Sequence, residues 1–316
     1  MQKRRLGQSD LHIAPLMLGG NVFGWTVGEA TSFTLLDAFV AAGLNAIDTA
    51  DVYSIWAPGH RGGESETIIG KWLKVRGGRD RLVIATKVGS DMGNGRKGLS
   101  KAYILKAVED SLRRLQTDYI DLYQSHRDDE ATPQEETAEA YAALIRQGKV
   151  RVIGASNFDA TRLASSVTAS ESLGYPRYES LQPLYNLYDR SDFESNLAAF
   201  CIRQKIGVIT YYSLASGFLT GKYRRKQDLG QSARGEDVER YLDARGLRIL
   251  DALDRVAGNY HAKPGQVALG WLMAQPGVTA PIASATNLSQ LNDLVAASRL
   301  QLDAAAIAEL TAASAA

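Results

Sequence analysis

The runs "RLVIATKVG" (residues 81–89) and "YIDLYQSH" (residues 119–126) decide the fold. Both are apolar stretches of strand length, and both end on polar residues, Lys87 and His126. Between them Leu105, Val108, Leu112 and Leu115 recur at helical spacing, with Ser100 at the N-cap position. A strand, a helix and a second strand in that order predict a parallel connection, because adjacent parallel strands need a crossover, most often a helix.

The same alternation continues in both directions. Upstream, "PLMLGG" (15–20) predicts a buried strand, 29–43 a helix ended by Gly43, "NAIDTA" (45–50) a strand and 64–76 a helix stopped by Gly77 and Gly78. Before them, "RLGQSDLHIAP" (5–15) predicts a hairpin that turns over Gly7 to Asp10. Downstream, Pro133 opens a helix over 133–147 that Gly148 closes. Strands follow at 150–157, 178–186 and 207–214, with helices at 159–173 and 189–205. Ser191 and Glu194 have capping-box spacing at the start of the latter. A connection rich in Gly, Arg and Asp spans 215–242; helices at 243–259 and 264–274, a strand at 279–285 and helices at 287–298 and 303–314 complete the chain. Eight strand-then-helix units with no linker predict one domain over 1–316, a (β/α)8 TIM barrel with a short N-terminal hairpin and extra C-terminal helices. No strand-to-helix turn carries GxGxxG, which disfavours a Rossmann dinucleotide domain.

Composition narrows the function. The 316 residues carry 36 Lys plus Arg against 35 Asp plus Glu, a net charge of +1, so nothing electrostatic points to nucleic acid or an anionic membrane. Hydrophobic residues make up 45%, enough for a large core. No apolar run reaches the roughly 18 residues needed to span a bilayer, and no signal-peptide stretch follows the basic start. One cysteine, Cys201, forbids an intrachain disulfide, and with only four His no metal site is expected. These features predict a cytoplasmic protein, with homo-oligomerisation left open.

In such a barrel the chemistry sits at the C-terminal ends of the strands. The second strand ends at Asp48, with Tyr53 beyond it; the third offers Lys87, the fourth His126, the fifth Ser156 and Asn157, the sixth Gln182, and the seventh Tyr211, Ser213 and Ser216. Each has an ordinary structural explanation: a turn aspartate, a packed tyrosine, a core histidine. Four that can pair, converging on one mouth, have a chemical one. A nearby ammonium favours the phenolate and is expected to lower the Tyr53 pKa, Asp48 would keep that ammonium charged, and His126 could donate to a carbonyl oxygen. Such a set protonates a carbonyl and needs a separate hydride donor.

The ordered pieces "KRRLGQSDLHIAPLMLGG" (3–20), "GLNAIDTADVYS" (43–54), "VIATKVG" (83–89), "LYQSH" (122–126), "IGASNF" (153–158), "LQPLYN" (181–186), "SGFLTGKY" (216–223) and "PIASATNLSQL" (281–291) resemble the aldo-keto reductases over nearly the whole chain. The resemblance implies an NADP(H)-linked reduction of an aldehyde or ketone, with Tyr53 as proton donor, Lys87 and Asp48 tuning it and His126 orienting the carbonyl. It implies that Gly20, Asn21, Ser156, Asn157 and Gln182 contact the cofactor, that Tyr211 stacks on the nicotinamide, and that Ser213, Leu214, Ser216, Gly217, Leu219 and Lys222 line or reach the pyrophosphate. Ser284, Thr286 and Gln290 fall at the adenosine end. Many members carry Arg where this chain has Thr286 and Asn where it has Leu294; an Arg would grip a 2′-phosphate bidentately, so NAD(H) stays open as the cofactor. Asn287 and Gln290 also have capping-box spacing. Phe23, Trp25 and Trp56 are expected to wall a substrate pocket, with Arg127 either drawing an anionic substrate or pairing with Asp128 or Asp129. Two other readings remain: an NAD-dependent sugar or alcohol dehydrogenase, and a cofactor-binding regulatory subunit resembling channel β-subunits.

Overall fold

β1 (Arg4–Arg5) and β2 (His12–Ile13) pair antiparallel as the expected hairpin in the computed structural model, which describes residues 2–315. The hairpin closes the bottom of the molecule. Leu6, Leu11 and Ile13 pack against Met17, Val83, Leu122, Val152 and Ile209 in one buried cluster, and Arg4 Nη1 donates to the carbonyls of Met273 and Val278 at 2.9 and 3.1 Å.

Above it stand β3 (Met17–Gly19), β4 (Ala46–Asp48), β5 (Val83–Val88), β6 (Ile120–Ser125), β7 (Val150–Ser156), β8 (Ser180–Gln182), β9 (Gly207–Thr210) and β10 (Val278–Ala283). They form a closed barrel of parallel strands in chain order, with β10 paired back onto β3. This is the predicted (β/α)8 architecture. Around it lie α1 (Glu29–Ala41), α2 (Glu64–Arg76), α3 (Lys101–Leu115), α4 (Gln134–Arg146), α5 (Ala160–Ser172), α6 (Ala198–Gln204), α7 (Gly235–Val238), α8 (Ala244–Asn259), α9 (Pro264–Ala274), α10 (Leu288–Ala297) and α11 (Ala304–Ala313). The main hydrophobic core fills the space between barrel and helices. No helix among the described residues is long and apolar enough to cross a membrane.

Register places the chemistry. Asp48 lies opposite Gly19 on one side and Ala85 on the other, and Lys87 lies opposite Gln124. Side chains alternate along a strand, so Lys87 points to the same face as Ala85, one layer above Asp48. The loop after β4 prolongs the ladder, with Thr49 N–H donating to Ala85 O at 2.8 Å and Asp51 N–H to Lys87 O at 3.2 Å. On the outside, Gly70 of α2 rests on the end of α3: a Cβ there would lie 2.0 Å from Arg114 O and 2.8 Å from Leu115 Cα.

Several local expectations are corrected. The strand at 178–186 shrinks to Ser180–Gln182: Pro183 has no N–H for the ladder and breaks it, and pairing resumes only as an isolated bridge between Leu184 and Tyr211. The Ser191–Glu194 capping box does not form. Glu194 is taken by Tyr185 Oη at 2.7 Å and by Arg190 at 2.9 and 3.0 Å, Ser191 Oγ turns to Asp192, and a π-helical turn over Phe193–Leu197 precedes α6. The connection at 215–242 is not an open loop: short helical turns at Ala215–Thr220, Lys226–Gln231 and Glu239–Tyr241, together with α7, fold it back against the barrel mouth.

Candidate active site

Lys87 is fully buried at the top of β5, and each of its three N–H donors is used. Nζ donates to Asp48 Oδ2 at 2.7 Å, to Thr49 O at 2.8 Å and to Tyr53 Oη at 3.1 Å. The second Asp48 oxygen accepts from Gln182 Nε2 at 2.9 Å. Burial pulls the Lys87 ammonium towards neutrality, but Asp48 and Tyr53 outweigh it, so its pKa lies above the usual lysine value. The Tyr53 oxygen accepts from Lys87, so its own hydrogen is free to be donated elsewhere.

The sign of the Tyr53 shift corrects the sequence expectation. Burial raises its hydroxyl above the ordinary tyrosine value and outweighs the lowering by the Lys87 ammonium. Tyr53 is therefore firmly protonated as the site stands, a donor rather than a phenolate. The rings of His126 and Tyr53 meet edge to face with centroids 5.9 Å apart. Burial, with Lys87 and Arg127 nearby, holds His126 well below its ordinary pKa, so its imidazole is neutral at neutral pH.

Asp48, Tyr53 and His126 open onto a cavity of about 1180 Å3, larger than the roughly 300–1000 Å3 of ordinary small-molecule pockets. Lys87 stands behind its wall. Asn21, Ser156, Asn157, Gln182, Tyr211, Ser213, Leu214, Ser216, Gly217, Lys222, Ser284, Thr286 and Gln290 line it, as do Trp25, Trp56 and Arg127. Three expected residues do not. Phe23 and Leu219 are fully buried in the core between barrel and helices, and Gly20 is turned under the loop, its carbonyl accepting from Ser65 Oγ at 2.8 Å. Trp25 and Trp56 both line the cavity and pack on each other, with centroids 5.7 Å apart. Arg127 pairs with neither neighbour: Asp128 is bound by Arg162 at 2.6 and 2.9 Å, and Asp129 by Leu99 N and Thr132.

The donor set fits a nicotinamide dinucleotide. Asn157 Oδ1 accepts from Tyr211 Oη at 2.8 Å and its Nδ2 donates to His126 O at 2.8 Å, which fixes the Tyr211 ring at the cavity wall. With Gln182 Nε2 held by Asp48, its Oε1 is left as an acceptor for a carboxamide. Gly217, at φ +96°, leaves room beside Lys222, whose Nζ a Cβ there would approach at 3.7 Å, so backbone and ammonium can flank a phosphate together. At the far end Asn287 caps the helix, but the reciprocal bond of a capping box goes to Thr286 instead of Asn287. Asn287 Oδ1 caps α10 by accepting from Gln290 N, while Gln290 Oε1 accepts from Thr286 N and Oγ1 at 2.9 and 3.1 Å. Lys263 lines the cavity too, paired with Asp293 at 2.8 Å.

Besides Lys263, two further residues were not foreseen. Gln124 accepts from Gln182 at 3.4 Å, behind the site. Arg234, from the folded connection, lies 5.4 Å from the Trp25 centroid and reaches the cavity. The only sequence trace of Arg234 is its place in a basic, Gly-containing stretch, which by itself says nothing of where the loop folds.

Similarity to known proteins extends over nearly the whole chain. The model of the aldo/keto reductase family matches residues 15–315. The oxidoreductase YrpG of Bacillus subtilis (strain 168) is 34% identical over 311 residues, covering 96% of this chain and 93% of that protein. Aldo-keto reductase YhdN of the same organism is 34% identical over 297 residues, covering 90% and 84%. A protein named as a probable voltage-gated potassium channel subunit beta, from Oryza sativa subsp. japonica, is 31% identical over 299 residues, covering 92% and 89%.

Proposed function

The chain belongs to the aldo/keto reductase family, and from that premise we propose that it is an NADP(H)-dependent oxidoreductase that reduces an aldehyde or ketone to the alcohol, with Tyr53 as general acid. The observation that carries this reading is the buried Lys87 ammonium, which donates to Asp48 and to Tyr53 at once.

A nicotinamide cofactor held along Ser156, Asn157, Gln182 and Tyr211 would supply the hydride, an electron pair with its hydrogen, that the carbonyl carbon needs. Tyr53 then breaks its O–H bond and gives the proton to the carbonyl oxygen. The negative charge left on Tyr53 forms beside Lys87, whose N–H already points at that oxygen, so the stabilising group needs no rearrangement. His126, neutral, offers an imidazole N–H to the same carbonyl oxygen and polarises it. Trp25 and Trp56 form an apolar wall for the rest of the substrate, and Arg127, with no acidic partner among the described residues, stands at its rim.

Thr286 favours a second reading of the cofactor. Its hydroxyl is turned to Gln290, and no arginine takes its place, which weakens the grip on a 2′-phosphate and supports NAD(H). A steady-state screen of aldehydes and ketones with NADPH and NADH separates the readings. The proposal expects carbonyl-dependent oxidation of NADPH with higher kcat/KM than with NADH. Cofactor binding with no turnover on any carbonyl would contradict the enzyme reading and support a binding subunit.

A further inference from the structure

Asp51 lies between the tuning carboxylate and the proton donor, and the mechanism does not use it. It is 1% exposed, and neither of its carboxyl oxygens has a hydrogen-bond partner among the described residues. Its backbone is tied to the catalytic strand through the bond to Lys87 O, and Thr49, two residues earlier, accepts from Lys87 Nζ. The loop that carries Tyr53 is therefore anchored on Lys87 at two points.

The groups that face Asp51 come from five elements. They are Glu66 of α2, Arg114 and Tyr103 of α3, Lys87 of β5, Tyr123 of β6 and Tyr141 of α4. Glu66 is fully buried and already holds the cation, accepting from Arg114 Nε at 2.6 Å and from Thr86 Oγ1 at 2.6 Å. Lys87 is saturated by Asp48, Thr49 and Tyr53. An ionised Asp51 would be a second carboxylate beside Glu66 to which no side chain donates, an arrangement that buried carboxyl groups avoid by keeping their proton.

We propose that Asp51 is a positioning residue, holding residues 49–53 and hence Tyr53 in the donor geometry only while its carboxyl is protonated, so that it sets the alkaline limit of turnover. Losing the proton places a like charge against Glu66 and a competitor for Lys87 beside Asp48. The relief open to the chain is to move the loop, which carries both Thr49 O and Tyr53. Burial, then Glu66, pushes the carboxyl up to about 8, within the range where an enzyme is assayed. The inference rests on Tyr53 being the proton donor.

Two measurements on the full chain test it, comparing wild type with Asp51→Asn and, should Asn be poorly tolerated, with the uncharged Asp51→Leu. The first is Tm against pH and needs no turnover. A carboxyl whose folded pKa lies above its unfolded value makes the folded state lose stability as pH rises from about 4 to about 8, and the variants have no such proton to lose. The Tm difference, variant minus wild type, is expected to grow across that window; a difference that stays constant overturns the protonated carboxyl. The second is kcat against pH. Relative to wild type, the ratio of kcat at pH 9 to kcat at pH 6.5 is expected to rise about tenfold in Asp51→Asn, one pH unit beyond the titration. An unmoved alkaline limb overturns the link to Tyr53 even if the Tm result holds. Full turnover in Tyr53→Phe would instead fault the reading of the reaction, leaving the Tm result to stand alone.

Discussion

Lys87 keeps its charge in a dry place because three acceptors surround it, and Asp48 gives one oxygen to Lys87 and the other to Gln182. Breaking such a pair from one side leaves an uncompensated buried charge. Lys87→Met is expected to lower folding stability by about 3–5 kcal/mol, seen as a large drop in the denaturant midpoint, besides abolishing turnover. His126 carries a pH dependence of opposite hand to Asp51. Burial depresses its pKa, so the stability it allows is full above its unfolded value of about 6.5 and is lost as pH falls towards the folded one. The Tm difference, His126→Gln minus wild type, is expected to grow as pH falls from about 7.5 to about 5.5; a difference that stays constant would contradict a buried neutral imidazole. At this scale the sequence was legible where a strand ended on a polar residue, as for Asp48, Lys87 and His126. It was not legible where loop phase decides, which is why Phe23 and Leu219 face the core and Gly20 faces Ser65. Nor did it carry the sign of the Tyr53 shift, since that depends on how deeply the hydroxyl is buried.

Among elements, α2 and α3 approach closely because Gly70 has no side chain to hold them apart, and the pair of buried Glu66 with half-buried Arg114 crosses the same junction. Gly70→Ala is expected to cost about 1–3 kcal/mol by overpacking, measured as a lower Tm, since the opposing atoms are backbone and cannot rotate away. The repeating strand and helix signals were readable because each element buries one apolar face. Where tertiary contacts compete with local signals, they were not. Glu194 prefers Arg190 and Tyr185 to a capping role, and the 215–242 connection folds over the mouth through contacts such as Arg234 with Trp25.

The whole molecule separates stability from chemistry. The hairpin and the inward side chains of the lower strands form a packed plug, and the cavity with its polar residues occupies the other end. Leu11→Ala, in the plug, is expected to lower stability by about 2–5 kcal/mol while leaving kcat and cofactor affinity unchanged at temperatures where the protein is folded. A changed kcat there would show that the two ends are coupled. The barrel was legible from eight alternating units, because parallel strands and crossover helices leave few other closed arrangements. At the top of the barrel the proposed chemistry has Tyr53 giving a proton beside the Lys87 ammonium that Asp48 holds. Its most direct test is kcat for carbonyl reduction by Tyr53→Phe, measured together with the Kd for NADPH. The expected result is a loss in kcat of about 100-fold or more with Kd within a few-fold of wild type, because only the donated proton is removed. Undiminished kcat on a good carbonyl substrate would contradict it.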